Sequence, residues 1–145
     1  MDAGLMGQIG IGACLGLSAA GSALGARAAG MAVIGAWKKC FVQNKPAPFL
    51  LVAFAGAPLT QTIYGFILMN VLNSSTMLNG FQLFGLGVFS GVAIGASAWA
   101  QGSCSASAAD SYAETEQGFG QNMLIIGLCE TIALFVLVFS MLIAS

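Results

Sequence analysis

One acidic residue, Glu130, stands alone in an apolar run from Gln121 to Ala144. A carboxylate near the centre of such a run costs about 2.5–3.5 kcal/mol on insertion scales, so it is expected to have a function and partners. The candidate partners are polar residues set into other apolar runs: Thr60, Gln61 and Tyr64, shortly after Pro58, and Gln101. A proline removes one backbone donor and frees a carbonyl about one turn earlier, expected here at Ala57 or its neighbours. A hydroxyl, two amide oxygens, a carbonyl and one negative oxygen make a hard donor set around a single charge. Hard oxygen donors suit a small hard cation such as Na⁺. A divalent ion would leave excess charge in a low-dielectric medium, so a monovalent ion is favoured. A proton site needs only the carboxyl group and one acceptor. The extra oxygens therefore favour Na⁺, with H⁺ as the alternative. Tyr64, one turn after Thr60, is placed to donate its hydroxyl proton to Glu130 and hold the carboxylate.

These residues need a scaffold at membrane depth, and the composition supplies one. Of 145 residues, 58% are hydrophobic and 6% are charged, with a mean hydropathy of +0.91. Soluble domains carry about 25% charged residues, so a water-soluble globule is excluded, as is a disordered chain. Four basic and five acidic residues offer no basic face for nucleic acid. Histidine is absent, which removes His-based catalysis, metal binding and pH switching. Cys14, Cys40, Cys104 and Cys129 lie far apart with no C-x-x-C pair and read as small apolar fillers.

Crossing the hydrocarbon core takes about 20 mostly apolar residues. Four stretches qualify: Leu5 to Trp37, apolar apart from Arg27; Phe49 to Leu72; Phe81 to Gln101; and Gln121 to Ala144. None shows the alternating polarity of a membrane β-barrel. The expectation is an all-α membrane protein of four transmembrane helices in two hairpins, residues 1–72 and 73–145. No basic segment precedes the first apolar run, so that run is expected to be a helix and not a cleaved signal. Arg27, Lys38, Lys39 and Lys45 fall before or within the first connection, which places that connection in the cytoplasm. The third connection, with Asp110, Glu114 and Glu116, follows it there. Both termini and the Asn73–Thr76 connection are then on the opposite side of the cell membrane. By composition the cytoplasmic turns lie at Asn44–Pro48 and Glu114–Gly118, with Trp37 as an interface anchor. Eight charges are thus expected at the ends and the cytoplasmic side, and one, Glu130, inside.

The chain also repeats itself. Gly21–Ala26 aligns with Gly91–Ala96, and Gln61-Thr62-Ile63 with Glu130-Thr131-Ile132, so the second hairpin copies the first in the same orientation. Glycines four apart, at Gly12, Gly16, Gly21 and Gly25 and at Gly87, Gly91 and Gly95, predict close backbone packing of helices one and three. Helices two and four, richer in Leu, Val, Ile and Phe, are expected outside against lipid.

Pro58-Leu59-Thr60-Gln61-Thr62-Ile63-Tyr64-Gly65, Ala100-Gln101-Gly102 and Glu130-Thr131 together resemble the membrane rotor proteolipid of V-type ATPases, called subunit K in bacteria. They match the P-x-T-Q-x-x-Y-G, A-Q-G and E-T segments of its sodium-type members, and the resemblance covers nearly the whole chain. It departs at Ala57, where a Leu is usual, and at Leu59, where a Gly is usual. The resemblance implies ion ligands Thr60, Gln61, Gln101, Glu130 and the Ala57 carbonyl, with Tyr64 bonding the carboxylate. It implies a non-catalytic protein forming a homo-oligomeric ring, which turns with a central stalk against a stator that holds an essential arginine. ATP hydrolysis in the cytoplasmic head would drive that rotation. Gln61 fills in the first half the place of Glu130 in the second, so one ionisable site serves four helices.

Two other classes compete. A small four-helix exporter would use Glu130 for proton-coupled efflux of cationic compounds, but it would call for aromatic residues where Gly, Ala, Thr and Gln stand. A purely structural oligomer would function unchanged with Glu130→Gln.

Overall fold

The computed structural model describes residues 2–145. Four helices run antiparallel in succession: α1 (Ala3–Val42), α2 (Phe49–Ser74), α3 (Gly80–Thr115) and α4 (Phe119–Ala144), each long and apolar enough to cross a membrane. Among the described residues there is no strand. The expected all-α architecture is the one observed.

Two helices are longer than their apolar runs. With 40 and 36 residues, α1 and α3 extend about 60 and 54 Å at 1.5 Å per residue, whereas the hydrocarbon core is about 30 Å thick. Hydropathy ends at Trp37 and Gln101, but the helices continue, α1 through residues 38–42 and α3 through an Ala- and Ser-rich stretch to Thr115. Asp110 and Glu114 therefore lie on α3, not in the third connection, which shrinks to Glu116–Gly118. Glu116 and Gly118 both take positive φ there, 53° and 77°, reversing the chain in three residues. The first connection is longer and is tied back to α1 by Trp37 Nε1, which donates to the Pro48 carbonyl at 2.9 Å. Lys39 and Glu114, both exposed, pair across the tips of α1 and α3.

The inner pair α1 and α3 run parallel, backbone against backbone. A Cβ on Gly102 would fall inside the backbone of Gly25, and one on Gly21 inside that of Gly95. Only glycine permits that approach. The packing register of the two helices is not that of the repeat. Contacts join Gly10 to Phe84 and Gly87, Gly21 to Gly95, and Gly25 to Ala98 and Gly102, so the side-by-side offset runs from 73 to 77 residues, not 70. A register of 70 would require a slide of about 8 Å at 1.5 Å per residue. Gly12 and Gly16 do not belong to the seam, because nothing lies near them. The expected place of Arg27 is corrected too. It sits two residues past Gly25, which abuts Gly102, so it is level with the Gln101 turn and not near the tip. Two residues are about 200° around a helix, and Arg27 accordingly faces out, exposed.

Two apolar clusters flank the middle of the bundle. One, towards the hairpin tips, contains Val33, Leu51, Phe54, Ala109 and Ile126. The other, towards the termini, contains Cys14, Leu68, Leu72, Ile94 and Ala133. Outside, α4 presents Leu124, Leu128, Ile132, Phe135, Phe139 and Leu142, all exposed, at the three- and four-residue spacing of a single helix face. Such a stripe belongs in lipid or against another copy.

Candidate ion-binding site

Between the two apolar clusters lies a polar layer, and every sequence-predicted site residue is in it or beside it. Pro58 breaks the regular ladder of α2, and residues Ala57–Leu59 tighten into a 3₁₀ turn. The donor that Pro58 lacks would have served the carbonyl four residues earlier, at Phe54, so the ring does not itself free the Ala57 carbonyl. The turn instead brings Ala57 close to Thr60, whose Oγ1 lies 3.3 Å from the Ala57 carbonyl and 3.2 Å from Gln61 Oε1. Three uncharged oxygens of α2 thus converge within one helical turn.

Gln61 and Gln101 are fully buried, and buried amides need partners. Gln61 Nε2 donates to Gln101 Oε1 at 2.6 Å. Gln101 Nε2 then faces α4, donating to the Ile126 carbonyl at 3.2 Å and to Glu130 Oε2 at 3.3 Å. The other carboxylate oxygen, Glu130 Oε1, accepts from the Tyr64 hydroxyl at 2.6 Å. Both oxygens of Glu130 therefore meet donors from other helices, α3 and α2. Glu130 itself is only partly buried, on a helix whose following turns are largely apolar. The arrangement can hold a negative charge at mid-bundle, and it gathers neutral oxygens within the same layer.

Two contributors were not singled out by the sequence. The Ile126 carbonyl shares the Gln101 amide, and a backbone acceptor can come from any residue type. Ser97 Oγ donates to the Cys129 carbonyl at 2.6 Å, fixing α4 one residue before Glu130. Ser97 shares a face of α3 with Gln101, four residues on, which was the available signal. The cysteines expected as separate fillers are not all separate. Cys104 and Cys129 bring their sulfurs to 3.6 Å across α3 and α4, whereas Cys14 and Cys40 are buried apart.

Two likenesses to known proteins bear on the chain's family. Residues 84–143, the second hairpin, match the family model of the ATP synthase C subunit. Over 144 residues the chain is 29% identical to the A-type ATP synthase subunit K of Methanocaldococcus jannaschii, covering 98% of this chain and 63% of that protein. The chain thus spans less than two thirds of that relative's length. With four membrane-length helices, the chain is thus similar in its Glu130-bearing second hairpin to the C subunit of ATP synthases, and along nearly its whole length to the subunit K of an A-type ATP synthase.

Proposed function

We propose that the protein is a non-catalytic rotor-ring subunit of a rotary V/A-type ATPase, carrying Na⁺ across the membrane by reversible binding at Glu130. The single observation behind this reading is the layer in which Glu130 meets Gln101 and Tyr64, with Gln61, Thr60 and the Ala57 carbonyl alongside. Glu130, Gln101, Gln61, Thr60 and the Ala57 carbonyl would supply oxygen to the cation, and Tyr64 would steady the carboxylate. A monovalent cation neutralises Glu130, and only a neutralised site can travel past lipid at low cost.

Copies of the chain would close into a ring, with the α4 stripe facing lipid or a stator subunit. An arginine on that stator would displace the cation as each Glu130 passes. The hairpin tips, with Lys38, Lys39 and Lys45, would lie in the cytoplasm near the central stalk, and both termini on the other side. Gln61 replaces a second carboxylate, so each four-helix subunit would hold one cation. The ring then moves fewer ions per turn and can work against a steeper gradient.

The test is carbodiimide modification of Glu130 in native membranes at neutral pH. Na⁺ is expected to slow the labelling, and Glu130→Gln to abolish both labelling and ATP-driven Na⁺ uptake. Labelling indifferent to Na⁺, with ATP-driven acidification in its absence, would assign H⁺ as the coupling ion. Two cations bound per subunit would overturn the single-site reading.

A further inference from the structure

We propose that Cys104 and Cys129 form an oxidation site, in which a disulfide bond ties α3 to α4 beside Glu130 and arrests the ion site. The consequence for transport rests on the function proposed above; the chemistry of the thiol pair does not. The two sulfurs are 3.6 Å apart, in contact but unbonded, and side-chain rotation can bring them to the bonded separation of about 2.05 Å. Both residues are partly exposed, whereas Cys14 and Cys40 are buried. Ser107, Ser111 and Asn122 line a groove of about 310 Å³ that ends at Cys104 and Ile126. A small polar oxidant therefore has a route to Cys104 from the tip side.

The position gives the bond its effect. Cys104 follows Gln101 by three residues and so lies one turn along the same face of α3. Cys129 directly precedes Glu130, and its carbonyl is already held by Ser97. A covalent link here would fix the spacing of α3 and α4 at the place where Glu130 must leave Gln101 to exchange its cation. Charge favours a disulfide over a metal clip: two neutral thiols become one neutral disulfide, and no charge is added at this depth. With a small disulfide as oxidant, one thiolate attacks it, expelling one small thiol. The second protein thiolate then attacks the mixed disulfide and expels the other. Two protons and two electrons leave the protein, and the oxidant ends as two thiols. Diamide performs the same two-electron oxidation and becomes the hydrazine.

The experiment treats native membranes holding the assembled complex with diamide, denatures them, caps free thiols with N-ethylmaleimide and weighs the protein chain. Untreated protein is expected to take four maleimides, one per cysteine, and oxidised protein two, on Cys14 and Cys40. Cys104→Ser and Cys129→Ala should each take three with or without diamide. ATP-driven ion uptake should fall about tenfold on oxidation, as expected when a gating motion is blocked. It should return with dithiothreitol and be unaffected by diamide in either variant. Four maleimides after oxidation, or a link between copies, would overturn the site. Two maleimides with unchanged uptake and unchanged carbodiimide labelling of Glu130 would overturn the arrest. If untreated membranes show no ATP-driven uptake, the function fails instead, and the maleimide count still decides the thiol pair.

Discussion

Gln61 Nε2 donates to Gln101 Oε1 at 2.6 Å, and this one bond decides which end of the Gln101 amide meets Glu130. Both side chains are fully buried, so neither has water as a substitute partner. With its oxygen engaged by α2, Gln101 can offer only its NH₂ group to α4, which is where Glu130 Oε2 and the Ile126 carbonyl lie.

Gln61→Ala should therefore act through Gln101. It leaves a buried amide oxygen unpaired, a loss of about 1–3 kcal/mol, and frees Gln101 to turn. Cation affinity, read as the concentration that half-protects Glu130 from carbodiimide, is expected to weaken at least about fivefold, since about 1.4 kcal/mol is a factor of ten. Gln61→Glu should place a second carboxylate in the layer and raise the labelling stoichiometry per subunit.

Tyr64→Phe removes the 2.6 Å bond to Glu130 Oε1 and little else. A hydrogen bond to a charged group contributes about 1.5–3 kcal/mol, and partial exposure puts this one at the low end. Carbodiimide should label the variant about tenfold faster at a given cation concentration. Assembly should be unchanged on a native gel. An unchanged labelling rate would mean that the hydroxyl does not hold the carboxylate.

The glycine seam predicts a sharp positional contrast. Gly102→Val would drive a side chain into the Gly25 backbone, and overpacking of this kind costs about 1–3 kcal/mol or more. Loss of assembled protein from detergent extracts is the expected result. Gly35→Val, on the same helix as Gly25 but with open space beside it, should leave the yield of folded chain within about twofold, since exposed substitutions stay within roughly 0.5 kcal/mol.

Glu114→Gln breaks the pair with Lys39. Both side chains are exposed, so stability should change little, and by less still in high salt. Thermal melting of the purified protein at low and high ionic strength measures this directly. A large loss would show that the two tips depend on the ion pair and not on packing beneath it.

Much of this architecture is legible in the amino-acid sequence because polarity inside an apolar helix is rare. Thr60, Gln61, Tyr64, Gln101 and Glu130 stand out for that reason, and the structure brings all five into one layer. The register of α1 against α3 is not legible in the same way. Glycine recurs so often in both helices that several alignments match, and an offset of 70 residues sets Gly10, Gly21 and Gly25 opposite Gly80, Gly91 and Gly95, more glycine pairs than the offset that joins Gly25 to Gly102. Helix length is likewise hidden, since hydropathy reports where lipid ends and not where the backbone stops coiling. The meeting of Cys104 with Cys129 depends on how α3 and α4 rotate about their axes. No spacing within either helix encodes that rotation.

The same seam has a geometrical consequence for assembly. Backbones touch between α1 and α3, whereas α2 and α4 carry bulky Leu, Ile and Phe side chains on the outer side. Each subunit is therefore narrower on one flank than on the other, and in the ring proposed above neighbours set side by side would trace an arc. The taper, fixed by residues as small as Gly25 and Gly102, would set the curvature at which that arc closes. A bulkier inner flank would flatten the arc and enlarge the circle. Hydrogen atoms in place of side chains along one helix seam would thus help determine the circumference of the whole rotor.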